Sequence, residues 1–252
     1  MNLDHIKMIS VNIEHLTWIE AEKIFEQYEV VLIAIGARTK EHGPHLPLNN
    51  DYLLAEYLKE RVMEKVPVIV FPTLQYGFYP AFLEYSGSVS ISFKTFKNLI
   101  IEICQSISNY GISKFYILNT GVSTLKPLKK AAKQLLKCDI TLHYLNLLEF
   151  DEILPKDLLK QNGGSHADEG ETSMMLYIAP EVVDMTKAAK DYDDRPNRIG
   201  LTRNPQGKES YSSTGIWGDP TLATREKGRI ITEIIIDEIA DQIEQLRTMN
   251  SH

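Results

Sequence analysis

The chain has 252 residues, and its 27 basic and 34 acidic side chains give a formal net charge of −7 with the histidines neutral. This acidic balance argues against a general nucleic-acid binder. The hydrophobic fraction of 43% and the charged fraction of 24% are ordinary for a globular protein, and no segment approaches the roughly 20 consecutive apolar residues of a membrane-spanning helix. We therefore expect one globular domain over residues 1–252, with neither nucleic acid nor membrane as a partner.

Four short apolar runs rich in β-branched residues predict strands buried on both faces of a sheet. They lie at residues 30–35, 66–71, 115–118 and, more weakly, 140–145. In the second run Pro67 stands near the start, where a strand tolerates a missing donor, and Pro72 is expected to mark the exit.

Apolar side chains at spacings of three and four predict helices between these runs, over residues 52–65 and 93–110. The stretch 230–246 has a similar apolar stripe and predicts a packing helix, whereas the polar segment 187–213 has weak periodicity and predicts extended surface loops. Strands that alternate with helices predict the α/β class: a single domain with a mainly parallel sheet and helices on both faces.

Polar clusters follow the predicted strands, at the ends where sheets of this class bind ligands. The first cluster contains Glu41, His42, His45 and Asp51, the oxygen and imidazole ligands that zinc, manganese or iron accept. Histidines beside acids in a loop are also common as plain surface residues. Composition alone leaves both interpretations of this cluster open.

Two further polar clusters, at residues 119–124 and 163–173, lie at later turns of the chain. The second of them leads into an apolar helix start, so Asp168 or Ser165 can cap that helix and Glu171 can favour its N-terminal dipole. Such a structural role explains the acids but explains His166 less readily.

Other catalytic machinery finds little support. The chain has no GxSxG nucleophile elbow, phosphate-binding P-loop, GxGxxG or HExxH motif. The N-terminus lacks the basic stretch and apolar run of a secretory signal, and Cys104 and Cys138 have no CxxC spacing. We expect a cytoplasmic protein without a cysteine-based zinc knot.

The sequence HGPHLPL at residues 42–48, followed by Asp51 and placed after a predicted strand, resembles the signature of the creatininase, or creatinine amidohydrolase, family. Further blocks look like the family's blocks in the family's order, at residues 71–77, 85–90, 166–173 and 215–224. The resemblance implies a single α/β domain and metal-dependent hydrolysis of a cyclic or linear amide bond in a small molecule. It also implies zinc or manganese as cofactor and assembly into homo-oligomers, often hexamers.

The chain differs from the family at two of the usual metal-ligand positions. The family's usual site holds two divalent metals, bound by a Glu-x-His pair, a bridging aspartate and a histidine in an Asn-Gly-His block. His42 and Asp51 match the pair's histidine and the bridging acid, but Lys40 stands in the glutamate's place and Gly121 in the later histidine's place. Both departures concern the same metal.

We therefore expect one metal per chain rather than two, held by His42, Asp51 and either Glu171 or a rearranged Glu41. A protonated lysine cannot be a ligand, but the Lys40 ammonium can supply positive charge beside Asp51 in place of the other ion. The alternative is that Lys40 is a solvated loop residue and that the extra loop residue moves Glu41 into the old ligand position.

The resemblance also suggests roles for three other residues. His166 is expected to move a proton to the leaving nitrogen, with a structural histidine as the alternative. Asn119 and Ser123 are expected to contact substrate, although both could equally end a strand through side-chain to backbone bonds. A different class of function competes with the hydrolase: a degenerate member that binds a small ligand without cleaving it, or serves as a structural subunit.

Overall fold

The computed structural model describes residues 9–149, 153–192 and 200–249. Its centre is a five-stranded sheet of β1 (Val11–Asn12), β2 (Val30–Ile35), β3 (Ile69–Leu74), β4 (Lys114–Asn119) and β5 (Thr141–Tyr144). The strands lie in the order β1-β3-β2-β4-β5, and every neighbouring pair is parallel. The predicted parallel sheet is confirmed.

Six helices complete the fold as the structure describes it: α1 (Trp18–Phe25), α2 (Asn50–Met63), α3 (Phe93–Ser108), α4 (Leu125–Leu135), α5 (Glu169–Ile178) and α6 (Arg225–Thr248). Helices α2 and α6 pack with Val30, Leu32 and Ala34 of β2 in one apolar cluster, while α3 and α4 pack with Val31 and Ile33 in another. Because side chains of a strand alternate between faces, the sheet is covered on both sides, as predicted.

Strand β3 continues past Pro72 to Leu74, so the expectation that Pro72 ends this strand was wrong. Its pairing with β2 slips by one residue at that point, since Ile33 lies opposite Phe71 and Ile35 lies opposite Leu74. Proline has no backbone N–H to give to the ladder, and such an irregularity accommodates it without ending the strand.

The described part of segment 187–213 is mostly exposed or half-buried loop, as predicted, but it contains two short strands. Strands β6 (Leu201–Thr202) and β7 (Ser210–Tyr211) form a small parallel pair, and Leu201 is buried against Tyr79 and Phe82. Contacts with distant residues therefore bury these short strands within a segment whose local pattern looks like loop. Residues 193–199 of this segment lie outside the described residues.

None of the described helices is both long enough and apolar enough to cross a membrane.

Candidate metal centre

Three polar segments meet beyond the carboxyl ends of β2 and β4: the loop 36–49 with the first turn of α2, the turn after β4, and the segment that leads into α5. Gly36 permits a close approach between the loop after β2 and helix α2. A Cβ atom at this position would lie 2.5 Å from the Asp51 carbonyl oxygen and 2.7 Å from the Ala55 Cβ atom. The absence of a side chain at Gly36 thus lets α2 bring Asp51 under the loop.

The Lys40 ammonium lies 2.7 Å from Asp51 Oδ2, and the two side chains are 4% and 1% exposed. Burial alone would raise the pKa of Asp51, but the nearby Lys40 and His42 hold that pKa well below its usual range. The ammonium also lies 4.8 Å from the Phe82 ring centroid and 5.5 Å from that of Tyr79, a cation–π arrangement. The alternative that Lys40 is a solvated loop residue is therefore wrong.

His42 is fully buried and contacts both Lys40 and Asp51. Its Nε2 atom lies 2.7 Å from Asp51 Oδ1, and its Nδ1 atom lies 3.0 Å from the Lys40 carbonyl oxygen. Both ring nitrogens thus have protein partners, and a metal bound by His42 would replace one of these contacts.

Glu41 points away from Asp51 and toward His166. Its Oε1 atom lies 2.8 Å from His166 Nε2, and its Oε2 atom accepts a hydrogen bond of 2.8 Å from the Gly43 N–H group. Burial opposes ionisation, yet His166 and the Gly43 N–H lower the pKa of Glu41. A Cβ atom at Gly215 would overlap this carboxylate, so the glycine leaves room for it.

Glu171 in the first turn of α5 faces the other side of the His166 ring. Its Oε2 atom lies 3.7 Å from His166 Nδ1 and accepts a hydrogen bond of 2.6 Å from the Ala167 N–H group. Ala167 has a φ angle of +49°, an uncommon conformation for a residue with a side chain, and one that is often found at functional sites. Asp168 caps α5 by accepting from the Glu171 N–H group, as the sequence allowed.

One group of potential metal donors emerges from this geometry among the described residues. A donor atom from each of His42, His166 and Glu171 lies within 4.8 Å of the other two. The group includes two of the expected ligands, His42 and Glu171, and adds His166, to which we had assigned proton transfer. Asp51 and Glu41 do not belong to this donor group. Asp51 instead contacts His42, and Glu41 contacts His166.

The structure places Asn119 and Ser123 differently from each other. Asn119 is completely buried, and its side chain donates to the Gly121 carbonyl oxygen at 2.8 Å and accepts from Thr124 Oγ1 at 2.5 Å. These bonds close the turn after β4. Ser123 is half-buried and lines a cavity, so substrate contact by Ser123 stays a prediction.

Two adjoining cavities open beside these residues. The larger, here called the outer chamber, has a volume of about 760 Å³ and is lined by Lys40, Phe82, His166 and Trp217, among others. The smaller, here called the apolar chamber, has a volume of about 390 Å³. Glu171 lies on the wall of both. A substrate in either chamber would therefore reach the edge of the donor group.

Sequence reasoning missed several residues that shape the site. Tyr79 and Phe82 flank the Lys40 ammonium, and Trp217 holds His166 through a backbone pair in which the Trp217 N–H group donates to the His166 carbonyl oxygen at 2.9 Å. The block at 215–224 had pointed to the neighbourhood of Trp217. No local pattern marked Tyr79 or Phe82.

A family model described as creatinine amidohydrolase matches residues 14–243. The chain belongs to the creatininase family. Among relatives in this family, the creatinine amidohydrolase of Pseudomonas putida is 26% identical, over 94% of this chain and 97% of the relative. The mycofactocin precursor peptide peptidase of Mycolicibacterium smegmatis is 27% identical, over 89% and 88%. A formylaminopyrimidine nucleotide deformylase from Methanothermus fervidus is 24% identical, over 89% and 87%.

Solved structures give the same result for the fold. A structure named "Creatininase Mn" superposes with a TM-score of 0.81 at 23% identity and covers 95% of this chain and 100% of that one. A creatinine amidohydrolase structure superposes with a TM-score of 0.79 at 24% identity, over 96% and 99%. The creatininase fold is thus confirmed. Because an amidohydrolase, a peptidase and a deformylase all cleave amide bonds, the prediction of an amide-bond hydrolase is confirmed as well.

Proposed function

We propose that this chain is a metal-dependent hydrolase of a small amide whose metal centre holds one divalent cation, with the Lys40 ammonium in place of a second. The observation that carries this proposal is the buried contact of 2.7 Å between Lys40 Nζ and Asp51 Oδ2. A cation in contact with the carboxylate that bridges two metals in the family neutralises it without any metal. Manganese and zinc are the candidates, because creatininase structures are named for both.

The donors of the proposed cation are His42, His166 and Glu171. Imidazole and carboxylate groups suit zinc and manganese, and the three donor atoms already lie within 4.8 Å of one another. Bound there, such an ion would lower the pKa of water and polarise a carbonyl group.

The surrounding residues orient these donors. Glu41 Oε1 contacts His166 Nε2 at 2.8 Å, which leaves the His166 Nδ1 atom on the side of Glu171. A carboxylate that holds one ring nitrogen of a ligand histidine, and so fixes its tautomer, is a recurrent arrangement at metal sites. We assign this orienting role to Glu41, and Asp51 has the equivalent contact with His42 Nε2.

Lys40 also has a role toward the substrate. Its side chain lines the outer chamber, where a fixed positive charge would stabilise the negative charge that develops on a carbonyl oxygen during hydrolysis. Phe82 and Tyr79 keep the ammonium in place and keep water away from it.

The number of metal ions per chain can be tested directly. We would measure metal content by inductively coupled plasma mass spectrometry on protein purified without chelator. We expect about one ion per chain in the wild type. Lys40→Met removes the positive charge beside Asp51 and supplies neither of the missing ligands of a second ion, so we expect metal content to stay near one and activity on model amides to fall. The matched control is Lys126→Met, since Lys126 lines the same chamber but is exposed and distant from the ligands in sequence.

The outcomes separate the alternatives. An unchanged metal content and activity in Lys40→Met would rule out charge replacement by Lys40. No metal after addition of zinc or manganese, with no amide cleaved, would favour the ligand-binding member without hydrolytic activity. His166→Ala separates the two roles of His166, because loss of metal indicates a ligand, whereas slow turnover with metal retained indicates proton transfer.

Cytoplasmic location and a homo-oligomer such as a hexamer remain part of the proposal. Light scattering coupled to gel filtration measures the assembly directly.

A further inference from the structure

Helices α1, α3 and α4 cover the same face of the sheet, where their apolar side chains belong to one cluster. Helix α1 leads from β1 to β2, α3 from β3 to β4, and α4 from β4 to β5. Given the strand order β1-β3-β2-β4-β5, α3 lies between α1 at one edge and α4 at the other. Phe25 of α1 stacks near the end of α3 on Tyr110, and Lys97 of α3 donates to Gln134 of α4 at 3.2 Å. The outer sides of these three helices form one surface, here called the three-helix face.

Helix α4 carries a row of lysines with no acid beside it. Residues 119–138 contain five lysines, all exposed, and neither aspartate nor glutamate. Lys126, Lys129 and Lys133 each have another lysine four residues later, on the same side of the chain's helical path. Like charges at this spacing destabilise a helix. The lysine row therefore does not serve the stability of α4 itself, in a chain whose net charge is negative.

Helix α1, at the other edge of the three-helix face, has the opposite charge. Residues 14–29 contain five glutamates and one lysine, and all six side chains are exposed. Trp18 and Ile19 on the same helix are 75% and 52% exposed. Large apolar side chains left in water together with charged neighbours are typical of a surface that binds another protein.

The charges at the two edges favour one of the two symmetric ways to bring two such faces together. A two-fold axis along α3 places α1 of each copy against α4 of the other, so that glutamates meet lysines. A two-fold axis across the helices would place α4 against α4 and α1 against α1, and like charges would repel. Only the first arrangement gives a self-complementary contact.

The three-helix face is also large enough for a stable contact. The helices have 8, 16 and 11 residues. With a rise of about 1.5 Å per residue and a width of about 10 Å per helix, they present roughly 500 Å² in projection. The accessible area of a rough surface exceeds its projection. The face is therefore close to the roughly 600–1,000 Å² that each partner contributes to a stable interface.

We propose that the three-helix face binds the same face of a second copy of this chain, with α1 of each copy against α4 of the other. This inference rests on the homo-oligomer of the proposed function and adds the surface and its geometry. The contact is one two-fold interface, in a dimer or in a larger assembly with an even number of chains.

Charge reversals on the two edges test this contact. The first variant combines Lys129→Glu, Lys130→Glu and Lys133→Glu, and makes α4 acidic. The second combines Glu22→Lys with Glu26→Lys, and makes α1 basic. Each variant opposes like charges, so we expect the dissociation constant of the two-fold contact to rise at least about tenfold. Sedimentation velocity over a range of protein concentrations should then give half the wild-type mass.

A third variant with all five reversals opposes unlike charges again, and we expect it to regain the wild-type mass. The matched control reverses two exposed acids on the opposite face of the sheet, Glu60→Lys of α2 with Asp241→Lys of α6, and should keep that mass. Circular dichroism verifies that each variant is folded. None of the reversed residues lines either chamber, so a change in mass reports on the contact and not on the metal centre.

The results separate this contact from the assembly itself. A wild-type oligomer whose mass is unchanged by the reversals, or is halved by them and not regained in the third variant, would overturn the contact and leave the homo-oligomer standing. A wild type that is monomeric at every concentration would remove both, while metal content and amide cleavage still decide the hydrolase. A monomer that binds heparin through the lysine row would assign the row to a polyanion and refute the contact.

Discussion

His45 is buried in the loop between β2 and α2 and is held there without charge. It is 1% exposed, and its Nε2 atom lies 2.8 Å from Thr172 Oγ1. Burial, and after it the nearby His42, lowers the pKa of His45 to about 4. Because its pKa is near 6.5 in an unfolded chain, the unfolded state binds a proton more readily than the folded state as the pH falls.

This difference predicts a loss of stability in acid. The contribution of His45 is complete above about pH 6.5 and decreases as the pH falls toward 4, and linkage gives about 2 kcal/mol between pH 7 and pH 5. His45→Gln keeps a polar contact for Thr172 and removes the titration. Urea unfolding at both pH values should therefore give a smaller loss of unfolding free energy in the variant, by about that amount. Equal losses in the two proteins would contradict the assignment.

At the scale of whole elements, the contact between α5 and α6 decides the position of Glu171. The two helices touch at the backbone, since a Cβ atom at Gly228 would overlap the Ser173 carbonyl oxygen. Ser173 lies two residues after Glu171 on α5. The side chain absent at Gly228 thus determines how closely α5, with its donor, approaches α6.

A helix normally becomes more stable when glycine is replaced by alanine, by about 1 kcal/mol. Gly228→Ala should do the opposite and cost roughly 1–3 kcal/mol of unfolding free energy, because the methyl group overpacks the interface. The shift of α5 should also weaken metal binding. Denaturant unfolding and metal titration measure both effects, with Gln245→Ala on the exposed side of α6 as the control. A Gly228→Ala variant that is more stable than the wild type would contradict this prediction, because it would mean that α5 and α6 can move apart without loss of stability.

The elements also show what the sequence could predict. Long segments with one buried face were predicted correctly, although α2 begins at Asn50 and α6 at Arg225 rather than where their apolar stripes begin. We made no prediction for α4, where Pro127 falls in the first turn, a position that tolerates proline. Two-residue strands such as β6 are too short for any periodicity.

The site was predictable only where family blocks marked it. Those blocks placed Lys40 beside Asp51, which the structure bears out. The contact of Glu41 with His166 joins residues 125 positions apart. It depends on the path of two irregular loops, for which no local rule exists.

For the molecule as a whole, the proposed cation would join distant parts of the chain. His42 follows β2, whereas His166 and Glu171 lie at the start of α5. Because these donors converge only after folding, the metal should bind the folded state and stabilise it against global unfolding.

We expect zinc or manganese at a hundred times its Kd to add about 2.7 kcal/mol of stability. For a protein of this size that corresponds to a rise in Tm of roughly 5–10 °C. Differential scanning calorimetry, with and without chelator, measures the shift. His166→Ala should abolish it, whereas His143→Ala, in β5 and outside the donor group, should retain it. A shift of the same size in His166→Ala would remove His166 from the ligand set.

The ion pair between Lys40 and Asp51 has a consequence for how activity depends on metal supply. In the proposed centre one of the two cations is the Lys40 ammonium, so dialysis or a chelator cannot remove it, and every folded copy carries it. When metal is scarce, the active fraction of an enzyme that needs two ions falls with the square of the free metal concentration. If Lys40 replaces one ion, as proposed, the active fraction would fall only in direct proportion to the free metal concentration.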